Sequence, residues 1–153
     1  MQLAQFNIAR MLAPLGSELM QEFEEKLDPV NQLAEQSPGF VWRFKEDHNN
    51  ATSVTIFDDD YWLINMSVWE SIDDLFNYVY KSGHLQVFRK KQQWFEPSRE
   101  KNVVMWYIED HMFPSIEEAV DRLLHLREHG DTPYAFSFRS RFTVDDLKSW
   151  TNK

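Results

Sequence analysis

The segment Trp62–Trp69 constrains the fold more than any other part of the chain, because it alternates like a strand yet has bulky apolar residues on both sides. Its sequence is WLINMSVW. A strand with two apolar faces belongs inside a sheet that is covered by layers on both sides. The sequence therefore predicts a central strand here, with the other elements packed around it.

Further segments alternate with the period of a strand. In the segment 3–9 the residues Ala4, Phe6 and Ile8 point to one side, and in the segment 40–44 the residues Phe40, Trp42 and Phe44 share a face. We expect the remaining β structure in three places: a strong strand at Val103–Ile108, a β-prone segment at Thr52–Phe57, and an added edge strand at Tyr134–Phe138.

Helical spacing of apolar residues lies between these strands. Ser17 is positioned to cap a first helix, which Asp28-Pro29 either kinks or divides in two. The other expected helical segments are Ile72–Tyr80 after Ser71, a run after Ser82-Gly83 that carries Val87 and Phe88, a helix from the capping box Ser115/Glu118 to Gly130, and a tail 144–153 that is a short helix or disordered.

The resulting order is β-α-β-β-α-β followed by an extra helix and strand, which is the ferredoxin-like split βαβ arrangement of an α+β fold. Helices on one face of such a sheet leave the other face uncovered, and here that face is rich in Phe, Trp and Val. A second copy packed sheet to sheet would bury it. We therefore predict one domain, residues 1–153, that forms a homodimer, a dimeric α/β barrel.

Charge and composition exclude several classes of partner. The net charge is −9 and the pI is about 5.0, whereas nucleic-acid backbones and anionic membranes select clustered Lys and Arg. No cysteine is present, which excludes disulfides, thiolate metal sites and a cysteine nucleophile. The N-terminus has no signal-peptide pattern, and no apolar run has the length of a membrane span. We expect a cytoplasmic protein.

His84 is the first candidate for chemistry. It follows Ser82-Gly83 in the first turn of a predicted helix, where the helix N-terminus disfavours a protonated imidazole. A neutral imidazole is what a general base or a metal ligand requires. The alternative is a structural histidine that is hydrogen-bonded to the backbone.

A second candidate is the set of polar residues on otherwise apolar strands: Asn7, Arg43, Asn65 and Ser67. First and third strands are neighbours in a split βαβ sheet, so Asn7 is expected beside Asn65 or Ser67. A few polar groups among aromatic walls are typical of small-molecule sites, and Trp69 and Trp94 are the expected walls. The alternatives are an internally satisfied polar network and ordinary core aromatics.

Metal sites are not predicted. His125 and His129 are four residues apart on a helix, but they lie opposite its apolar stripe and face solvent. Asp58–Asp60 lacks the spacing of a calcium loop.

The chain resembles the uncharacterised bacterial family DUF3291. The resemblance covers residues 3–142 and rests on DPVNQLAEQSPGFVWRF, SVWES, YKSGH, the WFE at Trp94, and TPYAFSFR. It implies the dimeric α/β-barrel superfamily and no established activity.

A more distant resemblance, at SVWES and the following helix and histidine, is to spheroidene monooxygenase-like proteins, which are haem-associated. It implies that His84 is an axial haem ligand. Haem-degrading relatives combine an asparagine on the first strand with a helical Trp and His. Asn7 matches the asparagine, but this chain has Asn77 and Val87 at the other two positions.

Two functions follow. The leading hypothesis is a monooxygenase-like protein that binds haem or a small hydrophobic ligand in a pocket near His84. His84 acts as ligand or base, Asn7 assists it, and Asn65, Ser67, Arg43, Trp69 and Trp94 form the substrate pocket. The competing hypothesis is a non-catalytic binding module or dimeric stress-related module in which His84 is structural.

Overall fold

A computed structural model describes residues 1–45, 55–81 and 91–151. It contains a four-stranded antiparallel sheet with helices on both faces. The elements in chain order are β1 (Gln2–Arg10), α1 (Gln21–Glu35), β2 (Phe40–Arg43), β3 (Trp62–Trp69), α2 (Ile72–Lys81), a 3-10 turn (Lys91–Gln93), β4 (Val103–Ile108), α3 (Ile116–His129) and α4 (Val144–Thr151).

The strand order is β2-β3-β1-β4, which confirms the ferredoxin-like α+β fold and the interior position of β3. β1 pairs with β3 from Leu3↔Trp69 to Arg10↔Trp62 and with β4 on its other side. Both central strands therefore have neighbours along both edges, as two-sided burial requires.

The two faces of the sheet have different covers. On the front face, Leu3, Trp69 and Met105 pack with residues of α1 and α2, which are Ala34, Leu75 and Tyr78. On the back face, one apolar cluster joins the strands to α3 through Ala4, Phe6, Ile8, Ile64, Met66, Val68, Val104, Trp106, Ala119, Leu123 and Leu126.

The cover of the back face changes the argument for a dimer. We expected a second copy to bury this face, but α3 of the same chain buries its centre, where Phe6 and Trp106 are fully inaccessible. Partly buried aromatics, among them Trp42, Phe44 and Trp62, surround that centre. The homodimer stays a prediction.

The predicted serine cap is present at the N-terminus of α3 and absent at that of α1. Ser115 caps α3 as predicted, since its side chain accepts a hydrogen bond from the Glu118 N–H at 3.1 Å. Ser17 does not cap α1: the helix begins at Gln21, and its N-cap, Met20, makes no side-chain hydrogen bond. The Ser17 hydroxyl is instead buried in the preceding turns without a hydrogen-bond partner in the described part of the chain. Pro29 lies inside α1, which continues through it as one helix.

A β-bulge in β2 corrects our assignment of faces. Phe40 pairs with Trp69, but the next pair is Trp42↔Val68, so Val41 is an extra residue. Phe40 therefore lies on the front face, where its ring meets Trp69 edge to face, while Trp42 lies on the back face against Phe113. The shared face that we expected for Phe40, Trp42 and Phe44 is wrong for Phe40, because a bulge shifts the period by one residue, whereas Trp42 and Phe44 do share the back face.

The C-terminal additions are less regular than predicted. The segment 134–138 contributes a bridge, in which Phe136 exchanges two hydrogen bonds with Met105 on the edge of β4. The tail is helical over Val144–Thr151. Of the segment 52–57, the described part carries an isolated bridge, Ile56↔Asp59. Among the described residues, no helix combines the length and the hydrophobicity needed to cross a membrane.

Candidate functional site

Four polar side chains form two successive cross-strand pairs on the front face of the sheet. Gln5 lies opposite Ser67, and Asn7 lies opposite Asn65. Because neighbouring strands are about 4.8 Å apart and same-face residues about 7 Å apart, the four groups form one compact surface. We call Gln5, Asn7, Asn65 and Ser67 the polar patch.

Hydrogen bonds fix three of these side chains relative to one another. The Gln5 Nε2 donates to Asn65 Oδ1 at 2.7 Å and to Ser67 Oγ at 2.8 Å. The Trp69 Nε1 donates to the same Ser67 Oγ at 2.8 Å. The patch is therefore an ordered network, and Gln5 is its centre.

Burial changes steeply across the patch. Gln5 is 8% exposed and Ser67 6%, whereas Asn7 is half-buried and Asn65 exposed. In the described part of the chain, Asn7 makes no side-chain hydrogen bond. The patch thus has a buried end at Ser67 and an accessible end at the two asparagines.

Apolar clusters lie along the strands on both sides of the patch. The Trp69 side is the cluster under α1 and α2, where the rings of Trp69 and Tyr78 stack at 5.1 Å. The Tyr78 hydroxyl donates to the Val30 carbonyl at 3.2 Å and so links α2 to α1. Burial raises the pKa of Tyr78 above its ordinary value, so this hydroxyl stays protonated.

Trp94 belongs to the cluster on the opposite side of the patch. That cluster contains Met11, Met20 and Phe23, and Leu63, two residues before Asn65, packs against it. Trp94 is only 1% exposed, and its ring lies 5.5 Å from that of Phe23. Trp94 and Trp69 are thus both core residues on the two sides of the patch, and their part in ligand binding stays a prediction.

Arg43 extends the polar region onto β2, where it pairs with Ser67. Its Nε donates to Glu35 Oε1 at 2.7 Å, and only 5% of the side chain is exposed. This hydrogen bond is the main cause that lowers the pKa of Glu35 below its ordinary value, so the ion pair is formed at neutral pH. A groove of about 560 Å³ runs along β2 past Glu35, Phe40 and Arg43.

His84 lies outside the described residues, together with the rest of the segment 82–90. The histidines that the structure does describe, His111, His125 and His129, lie in α3 or just before it, and α3 packs on the back face. The described residues contain no group of three His, Asp or Glu side chains arranged to hold a metal ion.

The structure brings together Asn7, Arg43, Asn65 and Ser67 on one face and places that face under α1 and α2. The strand order predicted Asn7 beside Asn65, whereas Arg43 joins them through the bulge in β2. Gln5 was missed as a site residue. Its only sequence signal was a second polar residue on the Asn7 side of β1, and its partner Ser67 is set by a strand register that the sequence does not show.

The fold and the patch define a ferredoxin-like α+β protein whose sheet carries a polar network beneath its helix pair. The chain belongs to the DUF3291 family, a domain of unknown function, whose profile matches residues 2–152. No curated protein matches the chain in sequence.

Solved structures share this fold at low sequence identity. SnoaB, a cofactor-independent oxygenase from Streptomyces nogalater, superposes with a TM-score of 0.50 at 14% identity, over 72% of this chain and 96% of its own. A SnoaB variant with asparagine replaced by alanine gives a TM-score of 0.50 at 14% identity, over 74% and 98%. A protein of unknown function from Nitrosomonas europaea gives a TM-score of 0.51 at 10% identity, over 74% and 95%.

Proposed function

We propose that this protein is a monooxygenase-like oxidoreductase that binds a small hydrophobic ligand at the polar patch. The observation that carries the proposal is the Gln5–Asn65–Ser67–Trp69 network, which lies between apolar clusters under the helix pair. Asparagine and glutamine weaken strand interiors, and a buried amide is costly unless it is hydrogen-bonded. Departures from such local rules are expected at functional sites.

The patch suits a ligand that is mostly apolar with one polar group. Asn7 and Asn65 leave hydrogen-bonding capacity at the accessible end, while the adjacent clusters offer apolar contact. Sites for small molecules are usually built this way, with a few polar groups that set the orientation of the ligand. Asn7, Asn65 and Ser67 orient that polar group, and Arg43, held by Glu35, lies on the strand beside Ser67.

The fold shared with the Streptomyces oxygenase makes oxygenation the reaction class to test first. In a cofactor-independent oxygenation, all electrons that reduce dioxygen come from the substrate. An activated methylene meets this requirement: it becomes a carbonyl with one oxygen atom, and the other oxygen atom leaves as water with the two hydrogens. The substrate is therefore expected to be electron-rich.

Ligand binding and turnover are separable by experiment. Electron-rich hydroxyaromatic compounds are incubated with the protein under labelled dioxygen, and oxygen uptake and label in the product are measured together with binding. Asn65→Ala removes a polar group that is already exposed, so the fold is retained, and the rate falls about tenfold or more if one strong hydrogen bond is lost. Gln92→Ala, at an exposed position outside the sheet, is the matched control.

Binding without oxygen uptake would favour the competing hypothesis, a non-catalytic binding module. Failure of every compound to bind, with Asn65→Ala indistinguishable from Gln92→Ala, would remove the patch as a site. Both outcomes are read from the same set of proteins.

A haem-dependent form of the proposal rests on His84. The described histidines lie in α3 or just before it, so the support for an axial ligand is the sequence prediction of His84, which lies outside the described residues. Protein purified from haem-supplemented cells should then show a Soret band that His84→Ala abolishes and His129→Ala, at an exposed position, leaves intact. A colourless protein that takes up no haemin would exclude haem and leave His84 as a candidate base or a structural residue.

A further inference from the structure

The Ser67 hydroxyl hydrogen has no acceptor among the described residues. Its oxygen accepts from Gln5 Nε2 and from Trp69 Nε1, both at 2.8 Å. An indole N–H can only donate, and a hydroxyl oxygen has two lone pairs, so both acceptor positions are occupied. With the Gln5 amide in this orientation, the Ser67 O–H donates elsewhere, and no described residue accepts it. Because Ser67 is only 6% exposed, this is a buried donor without a partner.

The same glutamine sets the orientation of Asn65. Gln5 Nε2 donates to the Asn65 carbonyl oxygen at 2.7 Å, so the Asn65 amide NH₂ is directed away from Gln5. Asn65 is exposed, and no described residue accepts a hydrogen bond from its NH₂. Asn65 and Ser67 are two positions apart on β3 and share the front face. A single amide thus sets the direction of two donors on the same face of the sheet.

The Ser67 O–H and the Asn65 NH₂ favour a ligand that carries a negatively charged acceptor. An acceptor that carries negative charge forms shorter and stronger hydrogen bonds than a neutral one. Such an arrangement stabilises an oxyanion in the manner of preorganised donors in acyl-transfer enzymes.

We propose that Ser67 Oγ–H and Asn65 Nδ2–H bind the oxygen of a phenol or enol as its anion, and that Gln5 is the positioning residue that aims both donors. The inference rests on the proposed function, since it names the substrate class for the same patch. The only chemical step is ionisation: the O–H bond of the ligand breaks, the electron pair stays on its oxygen, and the proton leaves to water at the open end near Asn65. The anion is more electron-rich than the phenol, as a substrate that must itself reduce dioxygen requires.

Titration of bound para-nitrophenol tests this directly, because only its anion absorbs strongly in the visible range. Donation to the charged form lowers the pKa of the bound phenol, and we expect a decrease of about one unit or more, a tenfold shift of the ionisation equilibrium. Ser67→Ala should remove a large part of the decrease. Ser98→Ala, at an exposed loop position, should leave it unchanged.

Gln5→Glu keeps the Ser67 hydroxyl and the Asn65 amide but reverses their direction. A carboxylate accepts only, so both groups must turn toward it and away from the ligand. The pKa of bound para-nitrophenol should then rise above that of the free phenol. Circular dichroism of each variant confirms that the sheet is retained, and a purely structural role of Gln5 would change thermal stability without reversing the sign of the shift.

The outcomes separate the inference from the proposed function. Binding of para-nitrophenol with an unchanged or raised pKa in the unmodified protein would overturn the inference alone, since it would mean that the Gln5 and Asn65 amides are turned over and present an acceptor. Equal shifts in the unmodified protein and Gln5→Glu would also overturn it. No binding of any phenol would refute the proposed site as well.

Discussion

Gly39 is expected to be among the positions least tolerant of a methyl group. It has φ of +83°, and a Cβ built there would overlap the side chain of Asp74, including its Cβ at 2.5 Å. Because the Asp74 Cβ is involved, rotation of the carboxylate alone does not relieve the overlap, and α2 or the start of β2 has to move. Asp74 also exchanges two hydrogen bonds with Ser71 at the start of α2.

Two contributions set the magnitude for Gly39→Ala. The left-handed backbone conformation costs an alanine about 1–2 kcal/mol. Forced repacking around the overlap adds ~1–3 kcal/mol. The free energy of unfolding should therefore fall by about 2–5 kcal/mol, which is a large fraction of the stability of an ordinary domain.

Gly16→Ala is the matched control, because Gly16 has φ of +89° but no atom within 4 Å of the added Cβ. It should lose only the backbone contribution, about 1–2 kcal/mol. Urea denaturation followed by circular dichroism measures both variants, and near-ultraviolet spectra report whether Tyr78 still stacks on Trp69. Equal losses for the two variants would refute the overlap with Asp74.

Three further results are expected. Leu123→Ala should lower the free energy of unfolding by about 2–5 kcal/mol, because Leu123 is fully buried under the back face, whereas Leu124→Ala, at 46% exposure, should change it by less than about 0.5 kcal/mol in the same urea titration. Glu35→Gln should destabilise the protein and flatten its acid unfolding curve: the pKa of Glu35 is lowered by Arg43, so the ion pair contributes above the unfolded-state pKa near 4.3 and its contribution is lost as pH falls below that value. A loss of stability in Glu35→Gln that is the same at pH 3 and pH 7 would contradict this. Because burial raises the pKa of Tyr78, its neutral hydroxyl contributes stability below about pH 10 that is lost as pH rises past that value. Tyr78→Phe should remove this contribution, while those of Tyr107 and Tyr134 remain, and should cost about 1 kcal/mol for the hydrogen bond to Val30.

The strands were predictable from the sequence because burial in a sheet imposes alternation. β3 shows this most clearly, since both of its faces are covered and both carry bulky residues. The start of α3 was predictable because its cap is a hydrogen bond between residues close in sequence, Ser115 and Glu118. Ser17 failed as a cap because the chain makes two further turns before α1 begins, and no local pattern encodes that delay.

The candidate site was predictable only in part. Asn7, Arg43, Asn65 and Ser67 stood out as polar residues on apolar strands, and the topology alone places the first strand beside the third. Gln5 did not stand out, because its importance comes from a register that pairs it with Ser67 and from the direction of one amide. Which face α3 would cover is likewise decided by the path of the chain after β4, which periodicity does not specify.

The bulge at Val41 decides on which side of the sheet a positive charge lies. If β2 were regular from Phe40 onward, Arg43 would point into the apolar cluster beneath α3, and Trp42 would occupy the front face. The number of residues in β2 therefore determines which of its positions must be polar and which apolar. Deletion of Val41 would leave Phe40, Trp42 and Arg43 on their present faces, whereas deletion of Trp42 would place Val41 among the back-face aromatics. In natural relatives whose β2 is one residue shorter or longer, the insertion or deletion should lie at the bulge. If it lies elsewhere, the polar and apolar positions that follow it along β2 should be interchanged.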